Sequence, residues 1–508
     1  MSVDALSPHL VLGLVGTGAM GRGIAQIAAQ AGIRVMLYDA QPGAAANARE
    51  SVASTLAKLA EKGKMTAASA SEAVARLDVV NHLEGLAACQ VIVEAIVENL
   101  EVKRQLFRQL EEIVPAGCLL ATNTSSLSVT AIAAGCRHPE RVGGFHFFNP
   151  VPLMRIVEVI DGLLTAPWVP EALLALGRRM GHTAVLAKDT PGFIVNHAGR
   201  GFVTEALRLL GENVAGVADI DRVMRDAAGF RMGPFELLDL TGLDVSQPVM
   251  ESIYRQYYEE PRFRPSALAA QRLTAGVLGR KTGRGFYGYP DGKMAVVPEP
   301  PPPATRPAKV WISQAFPEFA GGIAELARKA GIAVDGGQRP GADSLCIVTP
   351  LGRDATSCCA AEGLDPVRTV AADCLFGLDR RRTVAATPVT GPSWREAALG
   401  LFTADGVPAT LVRDSAGLVA QRIVATIVNI GCDIAQQGIA SPEDIDRAVT
   451  LGLGYPKGPL GFGDALGPRR VMAVLEAMLD FYGDPRYRPS PWLKRRALLG
   501  LSLLTPEA

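Results

Sequence analysis

The chain has 508 residues, 48% hydrophobic and 20% charged, enough for about three domains of ordinary size. Its formal net charge is zero, which removes the electrostatic case for nucleic acid or an anionic membrane surface, so an acidic ligand must be held by local groups. Residues 1–9 carry neither a basic run nor an apolar core, and the longest uncharged stretch, Ile113 to Cys136, is interrupted by Pro115, Asn123 and several hydroxyl residues. Neither a leader peptide nor a membrane span is expected. The eight cysteines include no CxxC pair, and no Cys/His set has metal-ligand spacing. Reduced thiols in a cytoplasmic, metal-free protein are the expectation.

In chain order, Leu10–Val15 is an apolar run that ends in glycines, and Met20–Ala31 has helical character. Arg34–Tyr38 reads as a second strand, with helix-forming sequence after it through Lys62. Strands recur at Val91–Glu94, Leu119–Thr122 and Val142–Phe147, with helices between them, notably Leu100–Ile113. Strands alternating with helices predict parallel pairing in a doubly wound sheet. After Asp189-Thr190-Pro191-Gly192, Ile194–Leu210 and Val217–Ala228 read as helices and strand signals fade until Gly285-Phe286-Tyr287. A stiff linker, Pro298-Glu299-Pro300-Pro301-Pro302-Pro303, follows.

Beyond the linker lies an internal repeat. Asp189-Thr190-Pro191-Gly192-Phe193-Ile194-Val195 matches Asp414-Ser415-Ala416-Gly417-Leu418-Val419-Ala420. Asp219-Ile220-Asp221 matches Asp444-Ile445-Asp446, Gly233-Pro234 matches Gly458-Pro459, and Asp239 matches Asp464, always at an offset of 225. The fold expected is therefore an α/β Rossmann domain (1–188), an all-α domain (189–295), a degenerate α/β segment (309–407) and a second all-α copy (408–508).

Two constellations carry chemistry. Gly16-Thr17-Gly18-Ala19-Met20-Gly21 is a G-x-G-x-x-G turn between a strand and a helix, with Asp39 at the end of the next strand. Gly16 permits the tight turn, Gly18 lets a pyrophosphate approach the backbone, and Gly21 packs the helix on the sheet; Asp39 accepts from ribose hydroxyls and repels a 2′-phosphate. That selects NAD over NADP. The second constellation lies at strand ends, where open α/β sheets place their ligands: Asn123-Thr124-Ser125-Ser126, and His146-Phe147-Phe148-Asn149-Pro150 with Glu158 twelve residues on. Oxidation of a secondary alcohol removes its proton as hydride leaves the same carbon. A neutral imidazole suits that task near pH 7, and a neighbouring carboxylate fixes its tautomer and stabilises its cation. His146 and Glu158 are the expected pair, with Ser125 and Asn196 holding the substrate oxygen.

These motifs, with Glu94-Ala95-Ile96-Val97-Glu98, Asp189 through Asn196, Gly233-Pro234-Phe235-Glu236-Leu237 and Lys281-Thr282-Gly283-Arg284-Gly285-Phe286-Tyr287, occur in one order. Over residues 10–290 the chain resembles the L-3-hydroxyacyl-CoA dehydrogenase family. The resemblance implies NAD-dependent oxidation of an (S)-3-hydroxyacyl-CoA to the 3-oxoacyl-CoA. It makes His146 the general base with Glu158 as partner, and puts Ser125 and Asn196 on the substrate. It places Gly16, Gly18, Gly21, Asp39, Glu98, Lys103, Ser125, Asn149 and Lys281 at NAD, and Thr55 and Lys62 at CoA. The length and the degenerate second half are similar to bacterial 3-hydroxyadipyl-CoA dehydrogenases of phenylacetate degradation, where Arg231 would meet the distal carboxylate. A short-chain 3-hydroxybutyryl-CoA dehydrogenase is the alternative. A non-catalytic NAD-binding protein and a dehydrogenase of free hydroxy acids are weaker rivals.

All six histidines lie at or before His197, and Gln421 stands where the first copy has Asn196, so the second half lacks the chemistry of the first. Its expected role is packing, giving a homodimer or an intrachain pseudo-dimer of helical domains.

Overall fold

The computed structural model describes residues 3–507; Met1, Ser2 and Ala508 lie outside the described residues. By density of contacts the chain divides into two units. The first joins residues 1–197 to 437–453, and the second joins 198–436 to 454–508.

The first unit is built on eight strands: β1 (Val11–Val15), β2 (Arg34–Tyr38), β3 (Leu77–Val79), β4 (Val91–Glu94), β5 (Leu119–Thr122), β6 (Val142–Phe147), β7 (Ile156–Asp161) and β8 (Thr183–Lys188). Their spatial order is β3-β2-β1-β4-β5-β6-β7-β8. The strands through β6 are parallel, and the inner ones, β4, β5 and β6, are buried along their whole length, as the middle of a parallel sheet requires. Purely parallel pairing does not hold beyond that point. β7 runs antiparallel to β6, and β8 extends the sheet parallel to β7. That reversal sets Glu158 directly opposite His146 in register.

The helix expected after β2 through Lys62 is Ala44–Glu61, with Lys62 as its C-cap; it turns back into a further helix, Ala67–Ala75, whose N-cap Thr66 hydroxyl accepts from the Ser69 N–H. Two other expectations need correction. The segment from Ile194 is two helices, Val195–Ala198 and Arg200–Gly211. The next one, expected over Val217–Ala228, is α-helical only to Arg222 and then widens into a π turn over Val223–Ala227.

In the second unit, residues 309–413 form a full sheet rather than a weak remnant. Its strands are β9 (Lys309–Ile312), β10 (Ala333–Asp335), β11 (Ser344–Val348), β12 (Thr369–Ala372), β13 (Arg382–Ala386) and β14 (Ala409–Arg413), in the order β10-β9-β11-β12-β13-β14. From β9 through β11, β12, β13 and β14 the pairings run parallel, parallel, antiparallel, parallel. The run β4 to β8 has the same pattern. β10 lies parallel beside β9 as β1 lies beside β4, and nothing in this sheet follows β10 outward as β2 and β3 follow β1.

The 225-residue offset recurs in hydrogen bonds. In the first unit the Lys188 N–H, at the end of β8, donates to the Ile439 carbonyl at 2.9 Å. In the second the Arg413 N–H, at the end of β14, donates to the Val214 carbonyl at 2.9 Å. Asp189 caps the helix Val129–Ala133 through the Val129 and Thr130 N–H groups, and Asp414 does the same for Ala355–Glu362 through Ala355 and Thr356.

Within the second unit, helix Arg200–Gly211 meets helix Ala420–Gln436 at van der Waals range; a Cβ on Gly201 would stand 3.2 Å from the Ile427 Cα. Beside this crossing, buried Glu205 accepts from Arg422 (2.5 Å) and the Tyr487 hydroxyl (2.6 Å), with Arg486 at 3.3 Å. Burial opposes the Glu205 charge, but the Arg422 and Arg486 cations outweigh it and hold the carboxyl below its ordinary range. Removing one member of such a set strands the others in the interior. Glu205→Ala is expected to cost about 3–5 kcal/mol. A denaturant midpoint within error of the wild type would show the cluster to be dispensable.

Candidate active site

The turn after β1 shows what each glycine is for. Gly16 has φ +91°, and a Cβ there would lie 2.6 Å from the Ala95 carbonyl oxygen. A Cβ on Gly21 would lie 1.9 Å from the Gly16 oxygen, so helix Ala19–Gln30 closes on the turn only because that atom is missing. A Cβ on Gly18 would meet no protein atom within 4 Å. The space over Gly18 and the uncapped helix start beyond it suits a diphosphate, which needs close backbone approach and free N–H donors. Asp39 accepts from the Thr17 N–H (2.7 Å) and hydroxyl (2.8 Å), and from the Gln41 N–H (3.0 Å). Burial works against its charge, yet these donors hold the Asp39 carboxyl below the usual range. An ionised carboxylate offers about four acceptor positions, which leaves room for a ribose hydroxyl. The residues present therefore fit NAD.

Beside this turn lies a second cluster that motif reading only half revealed. Glu94, buried at the end of β4, accepts from Lys103 Nζ (2.6 Å), the Thr122 hydroxyl (2.7 Å) and the Ile96 N–H (2.7 Å). Lys103 Nζ also lies 3.3 Å from Glu98. Glu98 gathers the Thr124 hydroxyl (2.6 Å), the Ser125 and Ser126 N–H groups (3.0 Å each) and the Ser126 hydroxyl (2.9 Å). Burial pushes Glu98 up, but the Thr124 hydroxyl, Lys103 and the serine donors bring it below its ordinary range. The Lys103 ammonium is thus enclosed between two carboxylates and fixes Glu98, which in turn shapes the turn carrying Ser125. The clue to Glu94 was a lone acid closing a β-branched strand.

Across β6 and β7, His146 Nδ1 lies 2.6 Å from Glu158 Oε2, with both side chains buried. A carboxylate at this distance selects, for the neutral ring, the tautomer with its hydrogen on Nδ1 and the lone pair on Nε2. Phe148 and Phe193 pack on the imidazole at 4.4 and 5.7 Å between centroids. The other Glu158 oxygen accepts from the Ile194 (3.0 Å) and Val195 (2.8 Å) N–H groups. Those two amides point inward because Gly192 and Phe193 both adopt positive φ, +80° and +48°. A bulky residue there is strained by roughly 1–2 kcal/mol, which the surrounding contacts must offset. Asn196 follows in the same short helix, Val195–Ala198. Asn123 accepts from the Phe147 N–H at 2.8 Å and ties the end of β6 to the serine turn.

The first unit also carries Ser125, Asn149, Thr55 and Lys62. Asn149 is exposed at the end of β6, Thr55 is exposed on helix Ala44–Glu61, and Lys62 is exposed just past that helix. Lys281 and Arg231 belong to the second unit, where Lys281 is ion-paired with Asp244 and Arg231 is exposed.

The family description "3-hydroxyacyl-CoA dehydrogenase, NAD binding domain" matches residues 11–190, and "3-hydroxyacyl-CoA dehydrogenase, C-terminal domain" matches twice, over 192–289 and 417–502. The chain belongs to the 3-hydroxyacyl-CoA dehydrogenase family. It is 39% identical over 487 residues to 3-hydroxyadipyl-CoA dehydrogenase of Escherichia coli K12, covering 96% of this chain and 97% of that one. The solved structure of a 3-hydroxybutyryl-CoA dehydrogenase from the same strain aligns over 97% of this chain and 98% of that one, at 36% identity and a TM-score of 0.84. A probable 3-hydroxybutyryl-CoA dehydrogenase of Bacillus subtilis is 41% identical but spans 54% of this chain and 96% of its own length. As a member of this family the chain is an NAD-binding oxidoreductase.

The positions 225 residues beyond Ser125, His146, Glu158 and Asn196 are Pro350, Ala371, Thr383 and Gln421. They hold no acid–base pair. Gln421 Nε2 donates to Asp373 (2.9 Å) and to the Pro350 carbonyl (3.0 Å), and its oxygen accepts from the Gly352 N–H (2.8 Å). This network closes the place on itself. Burial pushes the Asp373 carboxyl from 3.8 up to about 6, with the Gln421 amide and the Leu375 N–H opposing only part of the rise.

Two predictions follow from this geometry. Gly18→Val should leave the melting temperature unchanged and weaken NADH binding by about tenfold or more, whereas Gly21→Val should unfold the turn outright; fluorescence titration with NADH separates the two, and undiminished binding in Gly18→Val would show that the diphosphate lies elsewhere. The second concerns Asp373, whose raised value means the folded state holds an extra proton between about pH 4 and pH 6. Stability is lost as pH rises through that window, so Asp373→Asn should gain about 2–3 kcal/mol on the wild type between about pH 4 and pH 7. A constant difference across that range, read from denaturant midpoints, would exclude the titration.

Proposed function

We propose that the chain oxidises (S)-3-hydroxyadipyl-CoA to its 3-oxo product in phenylacetate catabolism, in the cytoplasm. The His146–Glu158 contact carries the reaction type. His146 Nε2 takes the hydroxyl proton, and Glu158, fixed by two backbone amides, holds the ring and stabilises the imidazolium that results. Ser125 and Asn196 hold the substrate oxygen, so that the alcohol carbon faces the cofactor. When bound, NAD supplies the acceptor for hydride from that carbon. The turn at Gly16, Gly18 and Gly21 with Asp39, Glu98, Lys103, Ser125, Asn149 and Lys281 would hold it. Thr55 and Lys62 would contact CoA, and Arg231 would read a distal carboxylate, a pairing for which guanidinium is well shaped.

The adipyl assignment is supported by the near-complete match to an enzyme of that name; the equally long match named for 3-hydroxybutyryl-CoA keeps that substrate as the second reading. A cytoplasmic location accords with eight scattered cysteines that include no CxxC pair; among the described residues no helix is long and apolar enough to cross a membrane. The two helical copies, 189–295 and 408–508, form an intrachain pseudo-dimer in this reading, with 309–407 a Rossmann unit stripped of its nucleotide-binding half.

His146→Gln is expected to retain NADH binding and lose about 10²–10⁴-fold in kcat. Normal turnover in that variant would overturn the assignment, and a wild type that binds NAD but reduces none with any 3-hydroxyacyl-CoA would indicate a non-catalytic protein. For the acyl group, Arg231→Met should depress kcat/KM for 3-hydroxyadipyl-CoA by about tenfold while sparing 3-hydroxybutyryl-CoA. Equal loss on both removes Arg231 as a carboxylate reader.

A further inference from the structure

The second half of the chain has no imidazole, and the counterpart of the catalytic set is sealed by Gln421. Yet residues 437–453 belong to the catalytic unit. The segment enters through the bond from the Lys188 N–H to the Ile439 carbonyl and continues as helix Pro442–Leu453, packed on β7 and β8. β7 carries Glu158, and β8 leads into the turn that feeds Glu158 its two amides.

In the last turn of that helix stands Gly452. Glycine inside a helix costs roughly 0.5–1 kcal/mol relative to alanine, so its presence calls for a reason. A Cβ at this position would lie 3.0 Å from both Val195 methyl carbons and 3.6 Å from its Cβ. Val195 is fully buried and donates the shorter of the two amide bonds to Glu158, 2.8 Å. Any side chain at 452 therefore pushes on the residue whose amide orients the dyad. At the positions related by 225 residues the pair reads Ala227 and Ala420, so the second copy divides between two residues the bulk that the catalytic copy gives to Val195 alone.

We propose that Gly452 is a positioning residue for the His146–Glu158 pair: by lacking a side chain it lets a helix of the non-catalytic half seat against Val195 and keep the Val195 amide on Glu158. The inference rests on the acid–base reading of that pair. It gives the second half a direct part in the reaction, exerted through packing.

The test is a double-variant cycle on the full-length chain. Gly452→Val should lower kcat about tenfold or more, since sub-ångström displacement of a catalytic group is costly, while KM for NAD and the melting temperature stay near wild type. Gly452→Val with Val195→Ala, which restores the space, should regain most of the lost kcat; Val195→Ala alone supplies the fourth corner of the cycle. Wild-type kcat in Gly452→Val overturns the inference, as does a loss that Val195→Ala fails to relieve. Should Gly452→Val fail to fold, Gly452→Ala carries the same test at smaller amplitude, with a kcat decrease relieved by Val195→Ala expected and no decrease overturning it. A His146→Gln enzyme of normal activity would remove the acid–base reading itself; an inactive His146→Gln beside a fully active Gly452→Val would remove only the role of Gly452.

Discussion

A carboxylate with no access to water must have its charge met by donors, and Glu158 is such a group. Three donors meet it: the His146 ring and the Ile194 and Val195 amides. Each comes from a different piece of the fold. The ring is delivered by the antiparallel register of β6 and β7, and the amides by a left-handed turn and the short helix after it. The reversal of β7 and the strained Phe193 both serve that one electrostatic demand. Because both oxygens are occupied, the carboxylate cannot swing away from the imidazole, and the ring's other nitrogen has a fixed direction.

A similar economy governs the nucleotide side. Lys103 is buried, with Glu94 and Glu98 around it, so it is not a mobile surface cation. Through Glu98 it sets the serine turn, and through Glu94 it fastens β4 to β5 at Thr122. The turn at Ser125 is thereby tied by a charged network to the end of β4, the strand that pairs with β1.

Much of this was legible in the sequence, because it depends on short spacings. The glycine turn, Asp39, the His146–Glu158 pair and the serine turn are local signals set against apolar strands. The 225-residue repeat predicted the second helical copy. What escaped reading depends on distant partners. β7 is buried on both faces, which erases alternation, and nothing within Ile156–Asp161 indicates that its neighbour runs the other way. The break at Gly199 and the π turn at Val223–Ala227 follow from packing, which overrides helical propensity. The second sheet was hard to see because it keeps the strand order of β4–β8 without the glycine turn that advertises a nucleotide site. Glu94 and Glu205 are lone acids in apolar runs, and their partners Lys103, Arg422 and Arg486 lie from nine to 281 residues away.

The pairing of Lys188 with Ile439, mirrored by Arg413 with Val214, has a consequence for how such a protein changes over time. In an assembly of two identical chains, one gene writes both sides of every mirrored contact, so a glycine placed to accommodate a neighbour's valine is imposed at the other end as well. Tandem duplication lifts that restriction. Here valine faces glycine in one copy while the related positions of the other are both alanine, so each contact is set without constraining its twin.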